Sequence, residues 1–210
     1  MRILVIETAT AACSVALLQD GAVVAQTHEI VGRGHAERLV PMIAGLPGEG
    51  RADRILVDCG PGSFTGIRVG LAAAIGLGIG WQVPVSGYSS LANIAAATFA
   101  AQAVAGPLAV VLEGGHGEVF MQIFGPPPAL SAGPLESLTP EAARARIGGM
   151  RAAGDGLRWL QFDDPRAAPH GALPRAADAL LLPPELAALP PRPLYGRAPD
   201  ARTLAERGLA

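Results

Sequence analysis

The chain has 210 residues, half of them hydrophobic, and a formal charge of −2, so it buries a real core as either one large domain or two small ones. Its sixteen basic side chains are all arginine, which excludes a P-loop lysine, a lysine Schiff base and a lysine general base. The slightly negative balance also excludes the basic footprint of a dedicated nucleic-acid binder, so any RNA contact falls mainly to a partner.

From the N-terminus, apolar patterning predicts a strand over 2–7, a turn through Thr8 to Ala12, a strand over 13–18, a hairpin at Gln19-Asp20-Gly21 and a strand over 22–30. After Gly32-Arg33-Gly34, the residues Leu39, Val40 and Ile43 suit a short amphipathic helix over 35–44, despite Pro41. A strand over 55–59 enters the turn GPGSFTG at 60–66, followed by a helix of small residues at about 65–80, a strand over 83–86 and a helix at about 89–103. The order βββαβαβα is that of a ribonuclease-H-like unit, a mixed sheet covered by helices. After Gly106-Pro107 the pattern restarts with strands over 108–113 and 118–124 around a glycine turn. Each half opens with an apolar strand ending in glutamate, Glu7 or Glu113, which reads as an internal duplication. The chain is accordingly divided into an N-terminal lobe, 1–104, and a smaller C-terminal lobe, 105–210. Proline, alanine and arginine rise after Gly125, and 125–193 reads as loops with one or two short helices, poorly packed.

Cys13 and Cys59 lie in apolar, strand-like runs and read as buried reduced thiols. The apolar stretch Val69 to Val85 is full of glycine and alanine and is broken by Gln82 and Pro84, short of a spanning helix. The expected setting is cytoplasmic, with no membrane contact.

Glu7 and Glu113, each where a first strand meets a tight turn, fit two readings. They hold a metal-bound nucleotide phosphate, or they are strand-end carboxylates satisfied by turn amides. GPGSFTG likewise suits an anion cradle or a structural turn. Ser63 and Thr65 can cap the following helix, Gly62 and Gly66 serve close packing, and Arg68 is the cation placed to meet an anion beside Thr8. The structural turn, shaping a nucleotide or partner edge, is the favoured reading. The four histidines show no ligand spacing and no GxSxG elbow occurs, so neither a metal site nor a nucleophile is expected. The helix at 65–80 carries five glycines, each costing roughly 1 kcal/mol relative to alanine. Close approach of another element along Gly66, Gly70 and Ala74, flanked by Ile67, Leu71 and Ile75, would repay that cost. On packing grounds alone, an element inside the lobe is the first candidate.

The segments ETATAACSVAL (7–17), HAERLVPMI (35–43), CGPGSFTGIRVGLAAAIGLG (59–78) and VPVSGYSSL (83–91) closely resemble the bacterial TsaB (YeaZ) family, with weaker signatures in GEVFMQIF (117–124) and PLYGRAPDAR (193–202). The resemblance implies an α/β, actin-like ATPase (ASKHA) fold of two ribonuclease-H-like lobes with mixed sheets flanked by helices. It implies a non-catalytic partner of the paralogous catalytic subunit TsaD. With TsaE and threonylcarbamoyl-AMP synthase, that system makes threonylcarbamoyladenosine at position 37 of tRNAs reading codons that begin with A.

The catalytic paralogue's metal-binding His-x-x-x-His falls here on Ser90 and Ile94, which implies no catalytic metal and no tightly bound cofactor, with ATP or ADP at the interface of the complex. The implied interface joins the helix bearing His35, Leu39 and Ile43 to the helix bearing Gly66, Ile67, Gly70, Leu71 and Ala74, against the catalytic subunit or, for the chain alone, a second copy. A TsaE-like ATPase is the further implied partner, with tRNA met through the complex. The second hairpin departs from the family's Asp-Ala-Arg by having Glu113-Gly114-Gly115-His116. The rival readings are an ATP-dependent small-molecule kinase of the actin-like superfamily and a metallopeptidase.

Overall fold

The computed structural model describes residues 1–161 and 172–197. The first sheet has the order β3-β2-β1-β4-β5, built from β1 (Arg2–Glu7), β2 (Ala12–Gln19), β3 (Ala22–Ile30), β4 (Arg54–Asp58) and β5 (Val85–Tyr88). Strands β1, β2 and β3 form an antiparallel meander, whereas β4 runs parallel to β1 and β5 parallel to β4. Helices α1 (His35–Ala44) and α2 (Phe64–Trp81) supply the crossovers, and α3 (Ser90–Ala101) leads from β5 to the second sheet.

The second sheet, β8-β7-β6-β9, repeats the first four strands of that plan. Its members are β6 (Leu108–Gly115), β7 (Glu118–Phe124), β8 (Glu136–Leu138) and β9 (Arg151–Ala153), with α4 (Pro140–Ile147) where α1 stands in the first lobe. Here too the meander is antiparallel and the fourth strand, β9, lies parallel to β6. The expected duplication is therefore present as topology, and two such lobes make the actin-like fold.

Alternation of side chains divides the core into three layers. On one face of the first sheet, Leu4, Ile6, Val15 and Val57 pack against Leu39 and Ile43 of α1 and Ile67, Leu71 and Ala74 of α2. On its other face, Val5, Ala16 and Leu56 meet Leu91 and Ile94 of α3, and the same cluster runs on into Leu108, Val110 and Phe124 of the second sheet. Helix α3 is thus shared between the lobes. A third cluster packs Val111 and Met121 against Ala143 and Ile147 of α4 and Leu157.

Two expectations are corrected. The region after Gly125 is not a loosely packed run among its described residues, since it supplies β8, α4, β9 and a 3-10 turn at Asp155–Trp159. Nor does the second lobe own everything after residue 104, because the chain returns to the first. Ala176, Ala179 and Leu182 enter the core beside α3, the Ala176 amide donates to Ser14 Oγ at 3.1 Å, and Asn93 exchanges hydrogen bonds with the Arg175 backbone. Farther on, Leu189 pairs with Gly87 at the β5 edge. The separation fails because short strands with little alternation and a tail of 3-10 turns carry no helical or strand period.

Candidate functional site

A cleft of about 740 Å³ opens between the lobes, with Thr10, Gly62, Ser63 and Arg68 on one wall and Glu113 and His116 on the other. The GPGSFTG turn reaches it, but the turn's amides serve the fold. The Ser63 amide donates to the Ala9 carbonyl at 2.6 Å, the Gly66 amide to Ser63 Oγ at 3.2 Å, and the Gly60 amide to Asp58 Oδ1 at 2.6 Å. A Cβ added at Gly62 or Gly66 would collide with the carbonyl of Ala9 or Thr8. The structural-turn reading holds for these residues, and Thr65 is exposed on the outside of α2. Arg68 is engaged by an aromatic pair. Its guanidinium lies 3.3 Å from the Phe64 ring centroid and donates to the Tyr195 hydroxyl at 2.9 Å.

Glu7 and Thr8 do not form an edge of the cleft, because both are fully buried. Glu7 accepts from the Ala9 amide at 2.8 Å and from the Tyr88 hydroxyl at 3.2 Å, and Thr8 Oγ1 donates to the Gly66 carbonyl at 2.8 Å. Beside Glu7 lies Asp58, equally buried, accepting from the Ser90 hydroxyl at 2.6 Å. Burial, then the neighbouring Asp58 carboxyl, hold Glu7 well above the ordinary carboxylate range. Burial raises Asp58 as well. Glu113, the counterpart of Glu7 in the second sheet, is half exposed and ion-paired with Arg158.

The interface residues named from the sequence need a parallel correction. His35, Leu39, Ile43, Gly66, Ile67, Gly70, Leu71 and Ala74 are all buried within the first lobe. A Cβ at Gly66 or Gly70 would strike Thr8, and one at Gly78 would strike Val85. These glycines let α2 lie on its own sheet, which is the internal packing that physics alone favoured. The other face is different. Gly76 and Gly80 have nothing within 4 Å of an added Cβ, Ile75 and Ile79 are 42% and 74% exposed, and Val40 of α1 is 62% exposed. Helix α2 is long and apolar enough by composition to cross a membrane, but a third of its apolar window is buried against the lobe.

Residues 23–124 match a family described as TsaD: tRNA N6-adenosine threonylcarbamoyltransferase. The tRNA threonylcarbamoyladenosine biosynthesis protein TsaB of Escherichia coli strain K12 is 44% identical over 100 residues, covering 45% of this chain and 43% of that protein. The protein of the same name from Haemophilus influenzae is 42% identical over 107 residues, covering 47% and 44%. The chain thus spans less than half the length of these curated relatives. Among solved structures, a Pseudomonas aeruginosa protein described as similar to peptidase YEAZ superposes with a TM-score of 0.76 at 29% identity, over 93% of this chain and 99% of that one. YeaZ from Pseudomonas aeruginosa gives 0.72 at 28% identity, over 86% and 89%. Over 45–47% of its length in sequence, and over 86–93% of it in fold, the chain is similar to TsaB and YeaZ proteins.

Ser90 and Ile94, onto which the sequence resemblance places a paralogue's metal-binding histidines, are both buried. Ser90 binds Asp58, and Ile94 packs in the shared core. Sequence reasoning missed Asp58, Tyr88 and Tyr195. The only available signal was an aspartate closing an apolar strand in register with the strand that ends in Glu7. The signature at 193–202 lies within the described residues only as far as Arg197.

Proposed function

We propose that this chain is the non-catalytic binding subunit of the assembly that transfers threonylcarbamoyl to N6 of adenosine 37 in tRNAs reading codons that begin with A. It works in the cytoplasm and docks on a TsaD-like catalytic subunit through the outer face of α1 and α2. The observation that carries the reading is the pair of outer glycines. Gly66, Gly70 and Gly78 are accounted for by the sheet beneath them, whereas Gly76 and Gly80 touch nothing, yet still weaken the helix by roughly 1 kcal/mol each. With Ala72 and the exposed Ile75 and Ile79, they form a flat apolar strip suited to a closely approaching helix. A second copy would cover the same strip when the catalytic subunit is absent. A TsaE-like ATPase completes the assembly, and tRNA is met through it.

No cofactor is held tightly by this chain alone, and ATP or ADP belongs at the interface of the complex, since the turn amides of Gly60, Ser63 and Gly66 are already engaged. The kinase alternative needs a general base in the cleft; Glu7 is buried away from it, and Glu113 on its wall is already ion-paired with Arg158. The metallopeptidase alternative needs a ligand set. Among the described residues, no group of three or more His, Cys, Asp or Glu side chains is placed to hold a metal.

The test combines the chain with a TsaD-like subunit, a TsaE-like ATPase, ATP, threonylcarbamoyl adenylate and tRNA. Transfer is expected only with both the chain and the catalytic subunit present. Gly76→Leu should keep thermal stability within about 1 kcal/mol while losing association by size-exclusion chromatography. Transfer by the chain alone, or unimpaired docking of Gly76→Leu, would refute the reading.

A further inference from the structure

The carboxyl ends of β1 and β4 meet at the face of the first sheet that α3 covers, and each delivers a carboxylate with no exposure to solvent, Glu7 and Asp58. Each of the four oxygens takes a hydrogen bond. Glu7 receives the Ala9 amide and the Tyr88 hydroxyl, and Asp58 receives the Gly60 amide and the Ser90 hydroxyl. Those two amides open the turns that face the inter-lobe cleft, Ala9 to Ala11 and Gly60 to Ser63. The groups facing the pair from surrounding elements are the Tyr88 hydroxyl of β5, the Ser90 hydroxyl of α3 and the Cys59 thiol after β4. All are neutral. From the returning C-terminal segment, Arg175 and Asp178 act on His28 of β3. Two charges sealed in so little solvent, with no cation bonded to them in any of these contacts, repel strongly.

We propose that Glu7 and Asp58 share one structural proton, carried by Glu7 and donated to Asp58, and that this proton locks the two cleft-facing turns to the sheet. The lock is alkaline-sensitive and is independent of any docking partner. Its carboxyls are held above the ordinary range in the folded chain, and in the unfolded chain they ionise near pH 4. Above that value the folded state binds more protons than the unfolded state, so stability falls as pH rises through neutrality. A salt-bridged acid would give the opposite slope.

Thermal unfolding in weakly buffered solution at pH 8, with a pH indicator, reads the proton directly. Wild type is expected to release about one proton more on unfolding than Glu7→Gln, and the decline of its melting temperature between pH 6 and 9 should flatten in that variant. Asp58→Asn should reduce the release in the same way. Should neither variant fold, the infrared C=O stretch of a protonated carboxyl in wild type at pH 8, vanishing on unfolding, is the expected result. Equal proton release from wild type and the folded variants, or no protonated-carboxyl band at pH 8, would overturn the proposal.

Discussion

The segment after β4 and the segment after β9 occupy the same place in the duplicated module, and they show what duplication kept and what it let go. Both approach the first strand of their own sheet, or the turn that leaves it, through glycines. Gly62 and Gly66 sit against Ala9 and Thr8, and Gly154 and Gly156 against Val111 and Leu112. The close backbone approach survives in both lobes. The helix beyond it does not: α2 runs for 18 residues, whereas the second lobe makes a five-residue 3-10 turn. The strand-end glutamates part in the same way. Glu7 is sealed beneath the α3 layer and shares its site with a second acid, while Glu113 answers to Arg158 at the surface. Identical residue type and topology thus meet different partners once burial differs, a second acid in one lobe and an arginine in the other.

The comparison can be broken from its strongest side first. Gly66→Leu should destabilise the protein by about 3 kcal/mol or more, or prevent folding, because its Cβ would occupy the Thr8 carbonyl. Denaturant melts with circular dichroism give the value, and a near-neutral result would dissolve the claim that the inner glycines are there for the sheet. Gly156→Ala, whose Cβ would lie 2.6 Å from the Leu112 carbonyl carbon, should cost about 1–3 kcal/mol by the same assay. A much smaller loss would mean that the second lobe yields where the first does not. Tyr88→Phe removes one buried hydrogen bond to Glu7 and should cost about 1 kcal/mol. Glu113→Ala, at an exposed ion pair, should change stability by less than about 1 kcal/mol. If that loss exceeded the one from Tyr88→Phe, burial would not be what separates the two strand ends.

The first lobe was legible because its elements are long enough to show a period. Strands β1 and β3 and helix α1 fall on their expected limits, and α2 within one residue at each end. Strands β8 and β9, each three residues long, show no alternation worth reading. Individual site residues were harder for a different reason. The glycine stripe of α2 announced a close approach but not to which side, since Gly66 and Gly76 look alike until the helix is laid on a sheet. Similarly, Glu7 stood out in the sequence, but its partner Asp58 is adjacent only through parallel pairing of β1 with β4. Such neighbours come from topology, which no local pattern encodes.

The return of Ala176, Ala179 and Leu182 to the core beside α3 sets an order of events during synthesis. Strands β1 to β5 can pair as soon as residues 1–88 have left the ribosome, but one face of that sheet has no lid over Ser14 until Ala176 arrives. For the intervening time the nascent first lobe carries an open apolar surface. A fragment ending near residue 104 would keep that surface permanently, and should be recovered as aggregate or bound to chaperones instead of as a free lobe.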